Sequence, residues 1–180
     1  MNILIYTHEF PPFQGGIATS AKMIADILSP ENELTVCCPD YGIDNFTEPE
    51  NFRTHRIRFV GGRNFKKVPL AQYISGFFEI KEMIKTFKPD KIIFLGEEAE
   101  LIGGLLNNKE IDQIVRIAGS GIQSIIKKKS IFKIISRFLL KRLYRNSKNI
   151  IAVSMNTKKL MESENEFFSD NKIRLIYNGI

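Results

Sequence analysis

Residues 3–17 carry the sequence ILIYTHEFPPFQGGI, which decides the fold of this chain. The apolar run Ile3–Tyr6 is typical of a buried β-strand, and the segment 18–28 has the apolar spacing of an amphipathic helix. Gly15 and Gly16 stand where this helix begins, and their lack of side chains allows a ligand to approach the backbone closely. The free N–H groups and the dipole of a helix N-terminus favour an anion. The stretch therefore predicts a strand, a phosphate-facing turn and a helix of an α/β domain.

The turn matches neither of the two common phosphate-binding motifs. It lacks the third glycine of the G-x-G-x-x-G pattern and the Gly-Lys-Ser/Thr of a P-loop. A plain turn before a helix is the alternative interpretation of the two glycines, and Pro11-Pro12 is expected only to stiffen the loop. The glycine pair by itself thus indicates a binding site without identifying the ligand.

Strands and helices alternate along the rest of the chain. Continuous apolar runs such as Ile92–Leu95 are typical of a parallel sheet that is covered on both faces. The alternation predicts a Rossmann-like, doubly wound and mostly parallel α/β sheet with helices on both faces. Strands are predicted at 2–7, 33–38, 55–60, 91–95, 113–118, 149–153 and 173–177, and helices at 17–28, 69–87, 98–107, 130–146 and 155–163.

Length and composition restrict the class of protein. The 180 residues are 43% hydrophobic, which is enough for one domain with its own core. We expect no secretory signal and no membrane span, because no apolar run approaches the length that a span requires. Cys37 and Cys38 are adjacent and are the only cysteines. We therefore expect buried thiols in a reducing compartment, no metal site and a cytoplasmic location.

Both ends of the chain carry motifs of one known family. The glycine turn resembles the N-terminal glycine loop of GT-B retaining glycosyltransferases of family 4 (group 1), a large family that builds bacterial surface glycans. Near the other end, a strand is followed by Ser154, Thr157 and Leu160, and a second strand is followed by Asn178-Gly179-Ile180. This pattern is similar to the end of the N-terminal domain in the same family, so the resemblance spans the whole chain. Ser154 and Thr157 are expected to cap the helix that follows them.

The resemblance implies one half of a GT-B fold. A complete GT-B enzyme has two Rossmann-like domains, so residues 1–180 are expected to be a single N-terminal, acceptor-side domain, with the C-terminal donor-binding domain absent from this chain. The implied reaction transfers a sugar, with retention, from a nucleotide sugar to a hydroxyl of a lipid-linked or cell-surface glycan, without cofactor or metal. Because the family's second domain stabilises most of the leaving diphosphate, we expect the isolated domain to be inactive.

Candidate site residues follow the first predicted strand. The resemblance places Gly15 and Gly16 against the donor diphosphate and the transferred sugar. His8, at the end of that strand, is a catalytic candidate for proton transfer or for donation to a phosphate, with a structural hydrogen bond as the alternative.

Two further strand ends carry candidates for the acceptor or sugar rim. Glu97 and Glu98 follow the strand 91–95 and can accept hydrogen bonds from acceptor hydroxyls, or else stabilise the start of the next helix. Gly119 and Ser120 can contact an anion or a sugar. Many relatives carry a histidine immediately before this glycine, whereas this chain has Ala118, so the role of that histidine is not transferred.

Basic residues are concentrated in one stretch. The net charge is +6, yet no Asp or Glu occurs between Gln113 and Met161. This stretch contains 12 of the 26 basic residues. Five of them recur at every fourth position and form a predicted cationic ridge: Lys129, Lys133, Arg137, Lys141 and Arg145. An apolar stripe beside the ridge is predicted to comprise Phe132, Ile135, Leu139 and Leu143, widened by Ile131, Ile134 and Phe138.

Two interpretations of the cationic ridge compete. It is either a solvated helix face or a surface that docks on anionic lipid headgroups, where each basic residue contributes about 1 kcal/mol. The resemblance favours docking, with a peripheral position at the inner face of the membrane, because many relatives use such surfaces to reach lipid-linked acceptors. Nucleic acid is not an expected partner, since no nucleic-acid-binding module is recognised.

Two other classes of protein remain open. A stand-alone Rossmann-like module that binds a nucleotide or phosphate would bind its ligand tightly without turnover. A non-catalytic, membrane-docking subunit of a split enzyme would bind lipid in a salt-sensitive way and would co-purify with a catalytic partner.

Overall fold

The computed structural model describes residues 1–42, 46–58, 71–117, 131–164 and 166–178. The strands in these ranges are β1 (Asn2–Thr7), β2 (Glu33–Pro39), β3 (Arg53–Ile57), β4 (Lys91–Leu95), β5 (Asp112–Ile117), β6 (Asn149–Ala152) and β7 (Ile173–Leu175). The helices are α1 (Gly16–Leu28), α2 (Ala71–Phe87), α3 (Glu97–Leu106), α4 (Ile131–Asn146) and α5 (Met155–Ser163), with short 3-10 turns at Ser29–Glu31 and Asp170–Lys172.

The strands form a seven-stranded sheet in the order β3-β2-β1-β4-β5-β6-β7. The strand pairs with described registers are all parallel, with Ile3 opposite Leu34 and Val115 opposite Ile150 as examples. Parallel strands need crossover connections, and a helix lies between consecutive strands everywhere except between β2 and β3, where the described residues contain none. This architecture confirms the predicted Rossmann-like α/β fold.

Most predicted elements are confirmed to within two residues, and β3 and β7 differ most. The prediction for β3 was 55–60, whereas the strand is Arg53–Ile57 at an edge of the sheet. Its residues are mostly polar and half-buried, so the apolar pattern that marks buried strands is absent. The prediction for β7 extended to 177, but the strand ends at Leu175, and Ile176 and Tyr177 are exposed.

Residue contacts divide the chain into two compact units, Met1–Ile92 and Ile93–Ile180. The core of the first unit contains the buried side chains of β1 and β2, together with Ile80 of α2. Cys37 and Cys38 belong to this core, as predicted, and burial raises the pKa of the Cys38 thiol to about 12. Both cysteines therefore act as small apolar residues.

The core of the second unit includes the contact between α3 and α4. A Cβ atom on Gly104 would overlap the carbonyl oxygen of Leu139 and lie 2.7 Å from its carbonyl carbon, and one on Gly103 would lie 2.9 Å from Leu143 Cδ1. The two glycines thus allow the helices to approach at backbone distance. Arg142 reinforces the contact by donating to the carbonyl oxygens of Gly104 (2.6 Å) and Leu105 (3.1 Å) at the end of α3.

The apolar stripe predicted for α4 is only partly buried. Leu139 and Leu143 are buried as predicted, whereas Ile134, Ile135 and Phe138 are 65%, 54% and 62% exposed. The described contacts of α4 with α3 are made by Leu139, Arg142, Leu143 and Tyr144. Among the described residues, no helix combines the length and the hydropathy needed to cross a bilayer.

Candidate functional site

The turn between β1 and α1, residues 8–16, is named the glycine turn. The hydroxyl of Thr7 donates to the carbonyl oxygen of Glu9 (3.0 Å) and accepts from its N–H (3.2 Å). The N–H of Phe13 donates to the carbonyl oxygen of Phe10 (3.0 Å). These local bonds give the turn a defined conformation, as sites for anions require.

Gly15 and Gly16 have different surroundings. A Cβ atom on Gly15 would lie 2.8 Å from Oε2 of Glu9, whereas one on Gly16 would meet nothing within 4 Å. Gly15 occupies the N-cap position of α1, which has no side-chain cap and no acidic residue in its first turn. The N-terminus of α1 is therefore uncapped, with free space on the side-chain side of Gly16 and the carboxylate of Glu9 beside Gly15. Uncapped N–H groups at a helix start can bind an anion.

His8 follows β1 and belongs to the glycine turn. Both ring nitrogens are shielded from solvent, and the ring lies edge-on to Tyr6 with centroids 5.5 Å apart. Burial lowers the pKa of His8 from 6.5 to about 4, because a charged imidazole would be poorly solvated there. His8 is therefore neutral at physiological pH and can donate or accept a hydrogen bond without contributing a positive charge.

Two residues that hold the glycine turn carry no signal in the local sequence. The hydroxyl of Tyr41 donates to the carbonyl oxygen of His8, and Arg56 of β3 donates to the carbonyl oxygen of Pro11 (2.6 Å). These residues are 33 and 45 positions from their partners, so no local motif could reveal the contacts.

Glu97 and Glu98 are the first two residues of α3. Gly96 precedes them with φ 92°, a backbone conformation that favours glycine. Glu97 is half-buried and Glu98 is exposed. Carboxylates in the first turn of a helix interact favourably with its dipole. Their positions thus suit either proposed role, helix stabilisation or contact with acceptor hydroxyls.

Ala118, Gly119 and Ser120 lie outside the described residues, which include the strand before them. At the end of this strand, the guanidinium of buried Arg116 donates to the side-chain oxygen of Asn178. Burial lowers the pKa of Arg116. The asparagine of the family-like Asn-Gly step is thereby tied to β5.

Ser154 performs the capping role expected of the Ser-x-x-Thr motif. It is the N-cap of α5, and its hydroxyl accepts from the N–H of Thr157 (3.1 Å). A capping side chain of this kind stabilises a helix by about 1 kcal/mol.

The cationic ridge is described only in part. Lys129 and the side chain of Lys133 lie outside the described residues. Lys141 donates to Oε1 of Glu166 (2.7 Å), and Arg137 lies 3.6 Å from Oε2 of the same carboxylate. The hydrogen bond from Lys141 and the nearby positive charges lower the pKa of Glu166. This acidic residue, distant in sequence, offsets part of the positive charge of the predicted ridge.

Among the described residues, no group of three or more histidine, cysteine, aspartate or glutamate side chains is placed to hold a metal ion.

Comparisons with known proteins define the class of protein. A family model, Glycosyltransferase Family 4, matches residues 14–180, so the chain belongs to this family. No curated protein matches the sequence significantly.

Three solved structures illustrate the similarity of fold. The chain is covered completely by HepE of Anabaena in complex with UDP (13% identity, TM-score 0.65, 44% of that chain). The same holds for sucrose-phosphate synthase of Thermosynechococcus elongatus (12%, 0.75, 48%) and the apo lipopolysaccharide outer core galactosyltransferase WaaB (13%, 0.64, 46%). The chain thus spans less than half the length of these proteins, and at such low identity the likeness shows the fold, one half of a GT-B architecture.

Proposed function

We propose that this chain is the N-terminal half of a retaining glycosyltransferase that transfers a sugar from a nucleotide sugar to a hydroxyl of a glycan or lipid-linked acceptor. The observation that carries the proposal is the open, uncapped N-terminus of α1 at Gly16. Membership of Glycosyltransferase Family 4 supports the reaction. The complexes of HepE with UDP and with UDP-glucose support a nucleoside diphosphate sugar as the donor.

The proposal gives each candidate residue a role. The N–H groups at Gly15 and Gly16 bind the donor diphosphate or the transferred sugar, where developing negative charge needs fixed donors. His8, being neutral, supplies a hydrogen bond rather than a charge. Glu97 and Glu98 accept hydrogen bonds from acceptor hydroxyls. Residues 1–180 correspond to less than half of the three matched structures and are expected to be inactive by themselves, with no cofactor or metal required.

The test compares the full-length gene product with residues 1–180 alone. Each is incubated with UDP-glucose, UDP-galactose, UDP-N-acetylglucosamine or GDP-mannose and a membrane glycolipid extract, and sugar transfer is followed by mass spectrometry and anomeric NMR. We expect transfer with retention by the full-length protein alone. Tight donor binding by residues 1–180 with no turnover by the full-length protein would instead favour a stand-alone binding module.

A second proposal concerns the surface at which the enzyme acts. We propose that α4 docks on anionic lipid headgroups. Ile134 and Phe138 are 65% and 62% exposed, and Arg137 lies between them in sequence. Exposed apolar side chains beside basic ones are the pattern of an interfacial helix. This surface would place the protein at the inner face of the membrane.

Helix α2 offers a matched control for this proposal. Ile74 and Phe78 have the same spacing and are 56% and 64% exposed. Sedimentation with phosphatidylglycerol vesicles compares Ile134→Ser/Phe138→Ser with Ile74→Ser/Phe78→Ser. We expect the first pair to reduce binding about tenfold and the second to leave it unchanged, because burying each apolar side chain contributes roughly 1.5–3 kcal/mol at most. Equal losses, or binding that is insensitive to 0.5 M salt, would contradict docking through α4.

A further inference from the structure

The glycine turn is attached to the first unit by two polar side chains. The hydroxyl of Tyr41 donates to the carbonyl oxygen of His8 and accepts from the N–H of Phe10 (3.3 Å). Arg56 donates through Nη2 to the carbonyl oxygen of Pro11 (2.6 Å). The attachments are thus four to seven residues before Gly15, on the segment that leads to it.

Arg56 connects the glycine turn to two further segments. Its guanidinium forms a bidentate pair with Glu48, with donor–acceptor distances of 2.8 and 3.0 Å. Nη1 lies 3.2 Å from Sγ of Cys38 and 3.4 Å from the carbonyl oxygen of Pro39 at the end of β2. Only 18% of its side chain is exposed. Such a many-partnered arginine is held in one geometry, unlike a typical surface cation.

Aromatic rings complete the surroundings of this guanidinium. Its Cζ atom lies 5.6 Å from the ring centroid of Phe10 and 5.5 Å from that of Phe46, within the range of cation–π attraction. Burial lowers the pKa of Arg56, but the hydrogen bond to Glu48 and the acidic groups around the guanidinium together raise it by more, so the group stays charged.

A cavity lies on this side of the glycine turn. It has a volume of about 300 Å³, and its lining includes Pro12, Tyr41, Phe46 and Arg56. Apolar packing therefore does not fill the space beside Pro12. The polar attachments support the turn where packing is incomplete.

We infer that Arg56 is a positioning residue that holds the glycine turn in its anion-binding conformation through the carbonyl oxygen of Pro11. The inference rests on the proposed function, because its consequence is tighter binding of the donor diphosphate. Donor groups that are fixed before binding cost no reorganisation when the ligand arrives. Lysine cannot replace Arg56 fully, since one ammonium group cannot pair bidentately with Glu48 and also reach Pro11.

The test measures steady-state kinetics and hydrogen–deuterium exchange on the full-length enzyme. Donor KM is determined with UDP-glucose, or with the other nucleotide sugar of the panel that is turned over. For Arg56→Met we expect about a tenfold rise in donor KM, the effect of losing one charge-assisted hydrogen bond, while kcat and acceptor KM change less than about threefold. Arg56→Lys should give a smaller rise, and amide exchange in residues 8–19 should accelerate in both variants.

Arg53→Met is the matched control, because Arg53 lies on the same strand with 77% of its side chain exposed and a distance of 3.6 Å to Glu33. We expect it to leave donor KM and amide exchange unchanged. If Arg56→Met fails to fold, Glu48→Gln is the second variant, because it weakens the pair with Arg56 while retaining the arginine. Its donor KM should rise about threefold, as expected for a weakened ionic hydrogen bond.

The outcomes separate the inference from the proposed function. A wild-type enzyme without turnover on any donor removes the proposed function and, with it, the donor role of Arg56. In the second outcome, the wild-type enzyme is active while the Arg56 and Glu48 variants have the same donor KM as the Arg53 control. This result would overturn the inference but not the proposed function. A lower kcat with equal rises in donor KM and acceptor KM would show that Arg56 has a merely structural role. This result would also overturn the inference.

Discussion

Two glycine pairs in this chain have opposite surroundings. At the start of α1, a side chain on Gly16 would point into open space. Within α3, a side chain on Gly104 would strike the backbone of Leu139. In sequence both pairs are simply adjacent glycines beside apolar residues.

The difference shows that a glycine pair has at least two uses. Glycine in the middle of a helix costs about 1 kcal/mol relative to alanine, so Gly103-Gly104 needs a compensating reason, which is the close contact with α4. Gly15-Gly16 lies at a helix start, where that cost is avoided and where a side chain on Gly16 would meet no described atom within 4 Å. Gly15-Gly16 is therefore expected to govern function, and Gly103-Gly104 is expected to govern stability.

The sharpest test of this contrast is Gly104→Ala. The new Cβ would overlap backbone atoms of Leu139, so α3 and α4 must separate. We expect the free energy of unfolding to fall by more than about 3 kcal/mol, despite the higher helix propensity of alanine. Urea denaturation measures the effect, and a variant as stable as wild type would show that this contact is not close.

Glu100 tests the same helix contact through pH. It is buried and accepts a hydrogen bond from Tyr144 of α4 (2.6 Å), and burial raises its pKa from 4.5 to about 7. Since the folded state holds this proton more tightly than the unfolded state, the stabilisation is complete below pH 4.5 and is lost as the pH rises through 7. Each pKa unit is worth about 1.4 kcal/mol, so the loss amounts to about 3 kcal/mol.

Glu100→Gln should remove this pH dependence. Unfolding by urea at pH 4.5 and pH 8 should show wild type losing stability relative to the variant by that amount. If the free energy of unfolding depends on pH identically in the two proteins, Glu100 is not a buried carboxyl group with a raised pKa.

His8 provides the opposite slope in the region of the glycine turn. Its folded pKa of about 4 is below the unfolded value of 6.5, so the unfolded state takes up the proton first. Stability is therefore complete above pH 6.5 and declines as the pH falls toward 4. Because the residue as a whole is half-buried, we expect a loss of about 2 kcal/mol rather than the full amount.

His8→Gln should flatten this acid-side decline in thermal unfolding scans between pH 7 and pH 4. His55→Gln is the control, since His55 is the other histidine and is half-exposed, with its Nε2 2.9 Å from Oε2 of Glu79. A decline that persists in His8→Gln but disappears in His55→Gln would show that His8 is not the residue that takes up the proton.

The smallest change in stability is expected for Gly16→Ala. The added methyl group meets no described atom, so the free energy of unfolding should stay within about 1 kcal/mol of wild type. Under the proposed function, the methyl group obstructs the diphosphate, and donor KM in the full-length enzyme should rise about tenfold (roughly 1.4 kcal/mol). A stable variant with unchanged donor KM would show that Gly16 faces no ligand.

Predictions from the sequence succeeded where local patterns carry the information. The continuous apolar strands, the glycine-marked start of α1 and the Ser154 cap of α5 were all predicted, because each depends on neighbours within a few residues. Predictions failed at the edge strand β3, whose polar residues carry no such pattern, and on α4, where Ile135 is exposed. Which side of α4 is covered depends on α3, some 30 residues earlier.

The sequence by itself determined the alternation of strands and helices, the family and the position of the glycine turn, since these follow from periodicity and short motifs. Tertiary structure alone decided that Arg56 and Tyr41 clamp that turn, that Glu166 offsets part of the cationic ridge, and that Gly103-Gly104 is a packing contact. Each of these pairings joins residues 25 or more positions apart. Their distances are set by how the backbone folds, which local spacing does not encode.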